Sequence, residues 1–134
     1  MATQNLTEAT FEEAITNSSI VLVDFWASWC GPCRAFAPTY SQASEKHPDI
    51  VFAKVDTESE QGLAAAAGIQ SIPTLMAFRD QILVFSQPGA LRPADLEEVI
   101  AAVRALNMDD VLRSIEEQRA ATAAPAGATQ VSAQ

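Results

Sequence analysis

Ile20-Val21-Leu22-Val23-Asp24-Phe25-Trp26-Ala27 runs, after one serine, into Trp29-Cys30-Gly31-Pro32-Cys33. The first half is continuous, β-branched and aromatic. A run of that kind, without polar alternation, predicts a central strand covered on both faces. The second half holds both cysteines of the chain, two residues apart. Pro32 lies near the start of a helix predicted over residues 32–46, where its missing N–H costs little. A buried strand therefore delivers a dithiol to a helix start. With no other thiol among 134 residues, Cys30 and Cys33 have only each other as internal partners. A reversible dithiol–disulfide pair acting on other proteins' sulfur is the leading reading.

Outward from this stretch, helices and strands alternate. Upstream, residues 4–6 read as a short first strand. Residues 8–17 read as a helix that Thr7 can cap, with Phe11, Ala14 and Ile15 on one face. Downstream, Pro38 lies inside the helix of residues 32–46 and should kink it, and Pro48 closes the segment. Residues 50–56 form the next strand. Ser59 can cap a third helix reaching Ala67, with Gly68 as its terminator. Residues 74–78 and 82–85 predict two strands around a turn at Arg79-Asp80-Gln81, close enough for an antiparallel hairpin. Pro93 opens a helix with Leu96, Val99, Ile100, Val103 and Leu106 at helical spacing. The predicted class is α/β, a central mixed sheet with helices on both faces, as one domain over residues 1–107. Residues 108–119 predict a short extra helix with an apolar stripe of Met108, Val111, Leu112 and Ile115. Residues 120–134 carry no charge and read as a disordered tail.

Composition narrows the function. A hydrophobic content of 49% supports a core without staples. Eight Lys and Arg stand against 17 Asp and Glu, a net charge of −9. Such a chain repels phosphate backbones, which argues against nucleic acid as a partner. The N-terminus Met1-Ala2-Thr3-Gln4-Asn5-Leu6 has neither the basic nor the apolar region of a secretory signal. The apolar run over residues 20–27 is interrupted by Asp24 and is too short to span a bilayer. The expectation is a cytoplasmic protein without a membrane partner. A lone disulfide in a reducing cytosol is rarely structural.

The spacing supplies a mechanism. Unpaired N–H groups at the helix start point toward the Cys30 sulfur and, with the helix dipole, favour a thiolate. A thiolate attacks disulfides, and Cys33 is near enough to attack the mixed disulfide that results. Three plainer readings compete. A zinc site needs four ligands, and only His47 and carboxylates remain to supply them. A structural disulfide over so short a loop stabilises little. Two inert buried thiols are the third. Asp24 reads either as a proton acceptor for Cys33 or as a core or strand-edge carboxylate, and the sequence leaves both open. Lys54 in the neighbouring strand is its candidate partner, or a solvated strand-end lysine. Pro73 stands just before a strand, and base rates make its peptide bond trans. Trp29 fits a substrate contact or ordinary core.

Taken together these residues resemble the thioredoxin family. The resemblance rests on Val23-Asp24-Phe25-Trp26-Ala27, Trp29-Cys30-Gly31-Pro32-Cys33, Ala37-Pro38, Ala53-Lys54-Val55-Asp56, Gly68-Ile69, Ile72-Pro73-Thr74 and Gly89-Ala90, in that order. It implies a thioredoxin fold and a protein-disulfide reductase with no bound cofactor or metal. Cys30 would attack and Cys33 resolve, with Asp24 as buried proton acceptor paired to Lys54. Pro73 would be cis and face the cysteines. Trp29, Gly31, Pro32, Ile72 and Gly89 would form the rim that docks client proteins carrying disulfides. Electrons would come from NADPH through thioredoxin reductase, and the protein would act as a monomer. Departures fall at Ser71 and Pro88 beside the presumed groove, at the glycine-free turn Arg79-Asp80-Gln81, at Arg34 in place of a common Lys, and after Asn107. The extra segment also admits a second reading, a binding module or redox-switched adaptor that docks a partner through its groove or C-terminal extension.

Overall fold

The structure, a computed structural model, describes residues 3–123. Five strands, β1 (Thr3–Asn5), β2 (Ile20–Trp26), β3 (Val51–Asp56), β4 (Thr74–Arg79) and β5 (Ile82–Pro88), alternate with helices α1 (Phe11–Thr16), α2 (Gly31–Lys46), α3 (Gln61–Ala66), α4 (Pro93–Ala105) and α5 (Met108–Ala123). The strands form one sheet in the order β1-β3-β2-β4-β5. β1, β3 and β2 run parallel, while β4 is antiparallel to both β2 and β5. The apolar run of β2, broken only by Asp24, is thus explained by its central place, buried from Ile20 to Phe25.

Side-chain parity along the strands divides the interior in two. Ile20 and Leu22 of β2, Phe52 of β3, and Leu75 and Ala77 of β4 face α2 and α4, which contribute Phe36, Tyr40, Leu96 and Ile100. Val21, Val23 and Phe25, with Ala53, Val55 and Met76, face the opposite way, where Ile15 of α1 and Leu63 of α3 cover them. Asp24 has the parity of Leu22 and therefore belongs to the face under α2.

Several boundaries differ from expectation for local reasons. α1 begins at Phe11, because the Thr7 N–H donates to the Thr10 hydroxyl (2.9 Å) and the Glu8 N–H to Glu60 Oε1 (2.9 Å). The N-cap of α3 is Glu60, since the Ser59 hydroxyl instead donates to Asp56 Oδ2 (3.3 Å). Gly68 does terminate that segment, with φ of 73° and its N–H on the Ala65 carbonyl. The hairpin turn is the two residues Asp80 and Gln81, at φ of 52° and 71°. β5 extends to Pro88 and holds a bulge opposite Ala77 and Phe78. α4 ends at Ala105, so Leu106 lies outside it. α5 continues to Ala123, so residues 120–123 are helical and not tail, and residues 124–134 lie outside the described residues.

The chain divides into two compact units, one ending at Arg104 and one beginning at Ala105. The first contains the sheet and both cores. Arg104 closes its base, forking onto Asp49 at 2.8 and 3.0 Å and reaching His47 Nδ1 at 3.0 Å, while His47 Nε2 meets Glu97 Oε1 at 2.8 Å. This network joins the end of α2 to α4. The second unit contains α5, on which Leu112 is exposed.

Candidate active site

Both cysteines sit where β2 hands over to α2. Cys30 is the N-cap residue of α2, with φ −88° and ψ 115°, and its sulfur accepts the Cys33 N–H at 3.2 Å. The sulfur thus takes the place that a serine or aspartate oxygen usually fills at a helix start. Pro32 occupies the first turn, where no donor is lost. Cys30 and Cys33 are joined in a disulfide with Cα atoms 5.2 Å apart, and both are buried. The Cys30 N–H donates to the Ala27 carbonyl (3.2 Å) and Arg34 Nη1 to the Ser28 carbonyl (2.8 Å), which fixes the turn between strand and helix.

A second segment closes over the sulfurs. The Ile72–Pro73 peptide is cis, as the resemblance implied and base rates did not. The Ile72 carbonyl oxygen lies 3.7 Å from Cys30 Sγ. The Pro73 carbonyl accepts the Gly89 N–H at 2.8 Å. Gly89 has φ of 105°, a conformation open to glycine and strained for other residues. Around this junction Gly31, Pro32 and Gly89 are exposed, Ile72 is half-buried and Pro73 is buried. Trp29 is 66% exposed, and its indole N–H donates to Glu58 Oε2 at 3.1 Å. Ser71 and Pro88, the two departures, line a neighbouring cavity of about 200 Å³ together with Gln70, Thr74 and Ser86.

Asp24 lies deeper on the same side of the sheet. It is 1% exposed, and no protein group hydrogen-bonds either carboxylate oxygen. Burial pushes its carboxyl up to about 7, and the nearby Lys54 charge pulls it part of the way back. Lys54 is the cross-strand partner of Asp24 in the β2–β3 register. Its ammonium, however, sits over the Trp26 ring, 5.0 Å from the centroid. Tyr40 completes the surroundings from α2. Its hydroxyl donates to the Ala53 carbonyl at 2.8 Å, and burial, reinforced by the Asp24 charge, holds it protonated well above the usual phenol range.

The structure brings Cys30, Cys33, Ile72, Pro73 and Gly89 to one junction, with Trp29 just before α2 and Gly31 and Pro32 in its first turn, while Asp24 and Lys54 are opposite one another on β2 and β3. Sequence reasoning missed Glu58 as the anchor of Trp29 and Trp26 as the seat of the Lys54 ammonium. The Trp26 contact was signalled only by parity, since Asp24 and Trp26 are two apart on one strand. Among the described residues, no group of three or more His, Cys, Asp or Glu is placed to hold a metal ion. No helix among them is long and apolar enough to cross a membrane.

Comparison with known proteins agrees with this geometry. The sequence model of the thioredoxin family matches residues 2–102. A thioredoxin homologue of Streptomyces coelicolor is 52% identical over 119 residues, which covers 89% of this chain and 89% of that protein. A match of that length necessarily includes part of the segment after Asn107. Thioredoxin 1 of Synechococcus elongatus is 43% identical over 97 residues, covering 71% of this chain and 91% of its own length. Among solved structures, a mutant thioredoxin from Halobacterium salinarum superposes with a TM-score of 0.73 at 29% identity, covering 78% of this chain and 93% of that one.

Proposed function

The chain belongs to the thioredoxin family, and its Cys30–Cys33 pair makes it a thiol–disulfide oxidoreductase; on that premise we propose how its residues divide the work. Cys30 is the nucleophile. As a thiolate it attacks one sulfur of a client disulfide, forms a Cys30–client disulfide and releases the other client sulfur as a thiolate. Cys33 then gives its proton to the Asp24 carboxylate and attacks Cys30 Sγ. The Cys30–Cys33 disulfide forms and the second client sulfur leaves as a thiolate. The structure represents this oxidised product. The observation that carries the assignment is the Cys33 N–H on Cys30 Sγ at 3.2 Å, because a donor at a helix start stabilises a thiolate at residue 30.

Trp29, Gly31, Pro32, Ile72 and Gly89 form the docking rim, and the main chain at Ile72 pairs with an extended client segment beside Pro73. Lys54 tunes Asp24. NADPH, through thioredoxin reductase, returns two electrons to the disulfide, and the protein works as a cytoplasmic monomer carrying electrons to disulfide-containing clients without a cofactor of its own.

The test is turnover of insulin disulfides with NADPH and a thioredoxin reductase, together with trapping by Cys33→Ser. The variant should accumulate a mixed disulfide through Cys30. Accumulation through Cys33 in a Cys30→Ser protein, and not the reverse, reverses the assignment.

A further inference from the structure

We propose that Trp26 is a positioning residue, whose ring face holds the Lys54 ammonium and so keeps it from pairing with the Asp24 carboxylate. The inference rests on the reading of Asp24 as the proton acceptor for Cys33, and adds the device that keeps it fit for that task.

Three neighbouring positions share one face of the sheet. Asp24 and Trp26 are two residues apart on β2, and Lys54 is opposite Asp24 on β3. The register alone would put the ammonium against the carboxylate. It stands over the indole instead, 5.0 Å from the ring centroid, and both Asp24 oxygens lack a hydrogen-bonding protein partner. Trp gives the strongest cation-binding face among the aromatic side chains. The cost of using Trp here is visible, since its buried indole N–H also finds no protein acceptor. A phenylalanine would avoid that cost but offer a weaker face.

The remaining groups turned toward Asp24 do not supply a counter-ion. From α2 comes the Tyr40 hydroxyl, held by the Ala53 carbonyl, and from β4 comes Leu75, the cross-strand neighbour of Asp24. Lys54 is therefore the cation that decides the charge state of Asp24, and where its ammonium rests is the lever. An ammonium hydrogen-bonded to the carboxylate would hold Asp24 ionised and weaken it as a base. An ammonium kept over the ring leaves a carboxyl that gains and loses its proton near neutrality.

The test follows the Asp24 carboxyl by carbon NMR in the oxidised full chain, where neither cysteine titrates. Replacing Trp26→Leu should lower the Asp24 midpoint by about half to one pH unit, and Trp26→Phe by less. The same Trp26→Leu change made in a Lys54→Met background should leave the midpoint where Lys54→Met alone puts it. An equal shift in both backgrounds means that Trp26 acts only by shielding Asp24 from water, and overturns the proposal. So does an unmoved midpoint in both Trp26 variants. If Trp26→Leu fails to fold, Trp26→Phe with and without Lys54→Met carries the comparison. Insulin turnover by Asp24→Asn is a separate arm. Unchanged turnover there refutes the proton-acceptor role and leaves the NMR result on Lys54 standing.

Discussion

Ionising Asp24 places a charge in an interior where no protein group donates to it. Its carboxyl is raised from 3.8 in the free residue to about 7 in the fold, first by burial, with Lys54 opposing. A raised acid binds its proton more tightly when folded, so its contribution to stability is complete below pH 4 and is lost as pH rises through about 7. Asp24→Asn cannot ionise. The variant's advantage over the parent should therefore grow between pH 4 and 7 and level off above, at roughly 4 kcal/mol as an upper figure. Urea unfolding at pH 4, 7 and 9 measures it, and a difference that does not vary with pH refutes the account. The sequence marked Asp24 because an acid inside an apolar run is conspicuous. Parity put Asp24 and Trp26 on one face but did not say which of them Lys54 would meet, because that depends on the β2–β3 register and on a side-chain choice between two acceptors of one cation.

At the level of elements, the sharpest local compromise is the β4–β5 turn. Two residues join Arg79 to Ile82, and both carry positive φ, the arrangement in which Asn-Gly is favoured. Asp80 tolerates this conformation better than Gln81 does. Gln81→Gly should stabilise the protein by about 0.5–1 kcal/mol, read as a higher urea midpoint with an unchanged slope. A lower midpoint would mean that the Gln81 side chain contributes more than its backbone strain costs. The hairpin was legible from its flanking apolar strands and its polar turn. The bulge in β5 was not, since one extra residue leaves no mark in an apolar run. The start of α1 was misread because Thr7 and Thr10 are both suited to a helix start, and only tertiary contacts such as Glu8 with Glu60 choose between them.

Over the whole molecule, the unit that ends at Arg104 holds the five strands of the described residues, both cores, the dithiol and the cis-proline segment. The family match ends at residue 102. Removing residues 108–134 should therefore leave a folded protein that reduces insulin within about twofold of the full chain. Loss of folding or of turnover would make α5 a working part of the domain. The fold was readable because its pattern is local: a strand buried on both faces, a dithiol at a helix start, a hairpin, an amphipathic helix. The extent of α5 was not, because residues 120–123 are alanines and a threonine, a composition that suits either a helix end or a tail.

The sulfur of residue 30 doubles as the closing group of its own helix. Whatever stabilises the anion there also makes the electron-rich form of the chain more comfortable, and hence less eager to give its electrons away. The grip of α2 on that atom sets a compromise between how fast the protein strikes and how strong a donor it is, and loosening one contact at a single amide should trade the first for the second.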